Sequence, residues 1–325
     1  PGLINFLEVS QPWKVLAENV LIKKWKGKMF EACQNGETKV VQLLLERCNS
    51  EESGLNTKDD RGRTVFMVAC REGQKDVVQL LLDHSNRIEL NARTKRGWTA
   101  FFHACQNGHQ DIVQMLLNHS KRIELNVRTC FGSTPFMEAS YRGHKDVVKL
   151  LLDNSDRIEL NARNSRGWTA LAFACLSGNK DVVQLFLDHS DRIELNAKDN
   201  RGWTALIFAM NACQKSVSVL SVFKLLLRHS EKIDFNARDN DGQTVLMLAC
   251  QRTRKIIVKL ILEHSERIEL NAKDNNGNTA VMIASQRGRQ DIVQLVKAKL
   301  LLHLEASKEL KRFIEIHQTK RRKLF

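Results

Sequence analysis

The chain has 325 residues, 42% of them hydrophobic, with three prolines and one tyrosine, a composition that reads as a largely helical soluble protein. No apolar run reaches the ~18–20 residues needed to cross a bilayer, and the nearest, such as Lys299 to Leu304, is short and lies in a basic helix, so no membrane span is expected. The formal charge of +14 suggests an acidic partner, yet residues 276–325 hold 11 Lys and Arg against 4 Asp and Glu, and residues 1–30 hold 5 against 2. A nucleic-acid groove would spread its cations along the working face with aromatics for stacking, so charge gathered at the two ends argues against nucleic acid along the body.

Near the start, Pro12 followed by Trp13, Leu16 and Val20 at helical spacing predicts an amphipathic helix. It either covers the exposed edge of the body that follows or meets a membrane or partner helix. The chain begins at Pro1 rather than Met, so the absence of a signal peptide carries no weight. Next, Phe30 to Gly36 and Val40 to Leu45 carry two helices without a preceding hairpin and read as an incomplete, capping unit.

Glycines then fall at 62, 97, 132, 167, 202, 242 and 277, spaced by 35 residues except for one gap of 40. That is an internal repeat. Around Gly167 runs Asn161-Ala162-Arg163-Asn164-Ser165-Arg166-Gly167-Trp168-Thr169-Ala170, an apolar stretch to Ala174-Cys175, then Gly178-Asn179-Lys180-Asp181-Val182-Val183-Gln184-Leu185-Phe186-Leu187. Two helices and a turn fit this string. Thr169 suits an N-cap, Gly178 a left-handed helix end, and Asp181 the positive N-terminal end of the second helix. Two stretches depart from the pattern: the five extra residues within Met210 to Val219, and Arg252-Thr253-Arg254 where Gly-His is expected. Exposed loops tolerate such change cheaply, so drift and a partner-specific protrusion both remain open. Leu295 to Ile316 continues helically and is expected to cap the last unit. The boundaries read as a helical extension over 1–27, a repeat body over 28–298 and a capping segment with a basic tail over 299–325.

Gly132-Ser133-Thr134-Pro135-Phe136-Met137-Glu138-Ala139 with Gly143-His144-Lys145-Asp146-Val147-Val148 resembles the ankyrin family, whose pattern includes G-x-T-P-L-H-x-A and G-H-x-x-[IV]-V. Pro135 falls at the favoured first helical position. The resemblance covers most of the chain and implies an all-α solenoid of about eight helix-turn-helix repeats with hairpin loops. The family period is ~33 residues. The two extra residues per unit fall between the second helix and the hairpin, as in Asp83 to Asn91.

Cys33, Cys70, Cys105, Cys175 and Cys250 each follow an alanine in equivalent stretches, and Ser140, Ser285 and Met210 take the same slot elsewhere. A small packing position tolerates that exchange, and a disulfide would not, so free thiols in a reducing compartment, cytosol or nucleus, are expected. His84, His119, His189, His229 and His264 recur at the end of the second helix, with Asn154 in the same slot. Stacked helices lie roughly 8–10 Å apart, so one such ladder cannot ligate one ion, and a helix C-terminus accommodates a hydrogen-bonding His. No nucleophile elbow, phosphate-cradling glycine loop, HExxH helix or paired CxxC is present, and Glu89, Glu124, Glu159 and Glu194 repeat by unit. No catalytic residue, metal or cofactor is expected.

The resemblance implies a protein–protein interaction scaffold or adaptor. Trp98, Trp168 and Trp203 occupy the x of G-x-T, where other units hold Arg63, Ser133, Gln243 and Asn278. Five positions after each come His103, Phe173 and Phe208, which in this fold lie on the inner helix towards the concave side. These six residues are the expected partner-binding site. Packing of each ring on its neighbouring repeat is the competing reading. The alternative function is a nucleic-acid or chromatin-associated factor acting through the basic tail. There Lys320, Arg321, Arg322 and Lys323 resemble a nuclear-localisation signal, and Arg322-Lys323-Leu324-Phe325 resembles a cyclin-docking motif.

Overall fold

A computed structural model describes residues 27–47, 55–119, 121–213, 220–252 and 255–305. Among the described residues there are helices and turns and no strand. The chain divides into two compact units, Pro1–Ser165 and Arg166–Phe325. In the first, helices over 27–35 and Thr38–Arg47 form the incomplete pair. Val65–Glu72 with Lys75–Asp83, Ala100–Asn107 with Gln110–Asn118, and Pro135–Arg142 with Lys145–Asp153 follow. In the second, Ala170–Ser177 pairs with Lys180–Asp188, Ala205–Ala212 with Leu220–Arg228, Val245–Arg252 with Lys255–Leu262, and Ala280–Gln286 with a helix over 290–305. The all-α repeat fold expected from the sequence is the fold of this chain.

The inner helices are punctuated by local chemistry, with the exception that the Thr204 hydroxyl makes no cap bond. The Thr99 hydroxyl accepts from the Phe102 amide at 3.2 Å and the Thr169 hydroxyl from the Ala172 amide at 3.3 Å, each satisfying one of the free N–H groups of a first turn. Gly178 ends its helix at φ +80°, with its amide donating to the Ala174 carbonyl. The outer helices bury a V-V-x-x-L-L stripe at helical spacing. Val147, Val148, Leu151 and Leu152 are each 1% exposed or less.

Each hairpin is tied by the residue that opens it. The Asp199 carboxylate accepts from the amides of Arg201 and Trp203, both at 2.8 Å, and Gly202 closes the turn at φ +80°. Thr94 and Thr129 do the same with a hydroxyl, accepting from the amides of Trp98 and Ser133. Backbone hydrogen bonds join several neighbouring hairpins, among them Cys130 N–H to Arg96 C=O in the first unit and Asn240 N–H to Arg201 C=O in the second.

The lengthened loop has a job of its own. Ile88 and Leu90 sink to 6% exposure, and Asn56 spans the gap between repeats, donating to the Arg87 carbonyl at 3.0 Å and accepting from the Glu89 amide at 2.8 Å. Asn91 does the same with Arg122 and Glu124, and Asn196 with Lys232 and Asp234. The extra residues therefore supply backbone groups for an asparagine ladder, which replaces water with protein partners at each junction.

The histidine ladder is a set of helix caps: the rings of His84, His119, His189 and His229 each hydrogen-bond the carbonyl four residues back, at 2.8–3.1 Å. Asn154 makes the same bond to Leu150 at 2.8 Å. Among the described residues no cluster of three potential metal ligands forms, and no helix is long and apolar enough to cross a membrane. The amphipathic extension (residues 1–26), most of the 210–219 insertion, Thr253-Arg254 and the tail with Lys320–Lys323 lie outside the described residues. The insertion begins where Cys213 takes the place of the usual glycine and stays right-handed at φ −59°.

Cys33, Cys70, Cys105, Cys175, Cys213 and Cys250 are free and buried, and Cys130 is free and exposed. Burial pushes the thiols of Cys33 and Cys250 up to about 12 and that of Cys213 to about 11, and raises those of Cys70, Cys105 and Cys175. A buried thiol is a poor nucleophile because the thiolate is the reactive form. Thiol titration of the native chain should therefore label Cys130 well before these six, which react only on unfolding. A disulfide between any two of Cys70, Cys105, Cys175 and Cys250 would contradict the assignment.

Candidate partner-binding surface

The residue before each capping threonine leaves the hairpin with its backbone already fixed, so its side chain lies across the N-terminus of the inner helix. Trp168 illustrates the consequence. Its ring centroid is 5.3 Å from Phe173 on its own inner helix and 5.0 Å from Phe208 on the next, both edge-on. Its indole N–H donates to the Asp199 carboxylate at 3.1 Å. Trp203 continues the row at 5.9 Å from Phe208, and the Arg201 guanidinium lies 3.6 Å from its ring centroid, with Arg252 at 5.8 Å. Phe173, Trp168, Phe208 and Trp203 thus form one continuous aromatic cluster in the second unit, covered by arginine.

In the first unit Trp98 stacks on Phe102 at 5.5 Å and meets His103 edge-on at 5.4 Å, with the Arg96 guanidinium 5.7 Å from its ring. His103 is 2% exposed and neither ring nitrogen is hydrogen-bonded. The Gln106 amide lies alongside without completing a bond, its own nitrogen donating to Glu138 at 3.1 Å. Burial, reinforced by the charges of Arg71 and Arg63, lowers the His103 pKa to about 4, so the imidazole is neutral at physiological pH.

The six sequence-selected residues therefore fall into two groups, Trp98 with His103 in the first unit and the other four in the second. Trp98, Trp168, Trp203 and Phe173 are half-buried. His103 and Phe208, at 2% exposure, are not on the surface; each supports the tryptophan above it, and a partner would touch the tryptophans and Phe173. The ring of Trp168 also packs on the neighbouring repeat, which gives it a part in the scaffold.

Two exposed aromatics escaped the sequence reading: Phe131, 67% exposed at a hairpin tip, and Tyr141, 41% exposed on the inner helix of the same repeat. A signal existed for the first, because the equivalent positions hold Arg61, Arg96, Arg166, Arg201, Asp241 and Asn276, all of them polar.

Helix pairs with this hairpin, this cap and this spacing match the family model described as Ankyrin repeats (3 copies), over residues 26–94, 86–164, 136–221 and 209–303. The chain belongs to the ankyrin-repeat family. Among curated proteins, no relative matches it. Ankyrin repeats are generally protein–protein interaction modules and typically not enzymes, because each repeat contacts only its neighbours and the stack offers extended surface. In this ankyrin chain the aromatic enrichment sits at one repeat position in some units and not in others.

Proposed function

We propose that this chain is a non-enzymatic scaffold or adaptor that holds a partner protein on its hairpin and inner-helix surface, with the second unit's aromatic cluster as the anchor. The observation that supports this reading most is Trp203, half-buried against Phe208 with the Arg201 guanidinium at 3.6 Å. Tryptophan and arginine are the side chains most enriched at interface hot spots, and a ring already fixed by packing loses little entropy on binding. Six buried free cysteines support work in a reducing compartment, cytosol or nucleus. Hydroxyl-radical footprinting of the chain with and without a partner captured from cell extract tests the surface. Protection should centre on Trp168, Phe173 and Trp203, and protection confined to the outer helices would overturn the proposal.

A further inference from the structure

The first unit contains a pocket of about 460 Å³ between its first two hairpins, lined by Arg61, Arg63, Arg71, Lys95, Arg96 and His103, with Trp98 at one side. Five cations converge there against one lining carboxylate, Asp60. Arg63 is satisfied by Asp59 at 2.7 Å and Arg71 has Glu72 at 2.5 Å. Arg61, Lys95 and Arg96 carry no ion pair among the described residues. Convergent, unmatched cations repel one another, so their arrangement stores a preference for a counter-charge.

We propose that this pocket receives a phosphorylated serine or threonine side chain of a partner protein. The proposal rests on the partner-binding reading above and assigns one chemical feature of the partner. Three considerations favour this occupant. A phosphomonoester carries close to two negative charges and three acceptor oxygens, which suits several guanidiniums better than a single carboxylate does. The cations form one compact cluster bordered by Asp59 and Asp60 rather than a track, which suits a point charge better than a polyanion. The cluster is also specific to this place in the chain: where Arg71 stands, the other units hold Gln106, Tyr141, Leu176, Asn211, Gln251 and Gln286, none of them basic. A residue required by the repeat would recur, and this one does not.

The test passes three peptide pools over the immobilised full chain at physiological salt, identical except for a central phosphoserine, serine or glutamate between degenerate flanks. The phosphoserine pool should be retained roughly ten-fold or more over the serine pool. That margin should vanish in an Arg71→Gln, Lys95→Asn double variant, whose new residues already occupy the same positions at Gln106 and Asn200 and so fit the repeat. Equal retention of phosphoserine and serine pools overturns the proposal, as does a margin that survives the double variant. Glutamate retained as well as phosphoserine, or anionic phosphoinositide vesicles bound while no peptide is, replaces the phosphorylated side chain with another ligand and equally overturns it. A Trp203→Gln variant separates the two readings. It should keep phosphopeptide retention while losing partner affinity, so a failure of the pocket leaves the aromatic anchor standing, and the reverse.

Discussion

Gly202→Ala should destabilise the second unit by about 3 kcal/mol, whereas Gly277→Ala should cost about 1 kcal/mol. Both glycines are left-handed, at φ +80° and +79°, so both substitutions carry the penalty of placing a Cβ there. They differ in what the Cβ meets. At Gly202 it would lie 2.7 Å from the Asp239 Cα and 2.8 Å from the Asn240 nitrogen, backbone atoms that can retreat only by moving the next hairpin. That movement strains the bond from the Asn240 amide to the Arg201 carbonyl, now 3.0 Å, and the Asn240 side-chain bond to the Asn200 carbonyl at 2.9 Å. At Gly277 nothing lies within 4 Å. Urea unfolding of the two variants reads the difference. Equal losses would mean that close hairpin contact contributes nothing beyond backbone strain.

The second large effect is a pH dependence centred on His103. Its folded-state pKa is depressed to about 4 from the ordinary 6.5, by burial first and by Arg71 and Arg63 next. As pH falls through 6.5 the unfolded chain takes up a proton that the folded chain refuses. Stability therefore declines between pH 6.5 and 4, by about 3 kcal/mol for this one group. Below pH 4 both states are protonated and the loss levels off. His103→Phe places at this site the residue that Phe173 and Phe208 supply at the equivalent positions. The variant should be no less stable at pH 7.5, because two unsatisfied nitrogens are gone, and its acid-side decline should be shallower by that amount. Denaturant midpoints measured from pH 7.5 to 4 check this, and parallel curves for the two proteins would show that His103 titrates normally.

Most of the fold was legible because its instructions are local. A threonine hydroxyl reaches an amide three residues on, a glycine ends a helix within its own turn, and a histidine caps its own helix, so each unit announces itself within 35 residues. The cysteine slot and the histidine ladder could be read as structural for the same reason. What was not legible depends on neighbours a full repeat away. The hydrogen bond from Trp168 to Asp199 spans 31 residues, and its contact with Phe208 spans 40, so the half-buried state of that ring is decided by the next repeat. The burial of His103 beneath Trp98 likewise depends on tertiary packing, since its position in the string matches that of the half-buried Phe173. The basic pocket draws on two hairpins and two inner helices, and its trace in the sequence is that Arg63, Arg71 and Lys95 are each the basic exception at their repeat position. The ladder of asparagines is regular in spacing, but the partners of each side chain are backbone groups a repeat away, which carry no sequence signal.

The most direct measurement of the central claim is the affinity of a captured partner for the Trp203→Gln chain, taken together with that chain's thermal unfolding. Glutamine is the residue that Gln243 places in the same slot of the next repeat, so the variant keeps a side chain the fold accepts. An interface anchor predicts a loss of about 2 kcal/mol or more in binding, roughly thirty-fold in Kd, with a smaller loss of stability. Unchanged affinity, with or without a drop in melting temperature, would return Trp203 to the scaffold and remove the aromatic cluster as the site of partner binding.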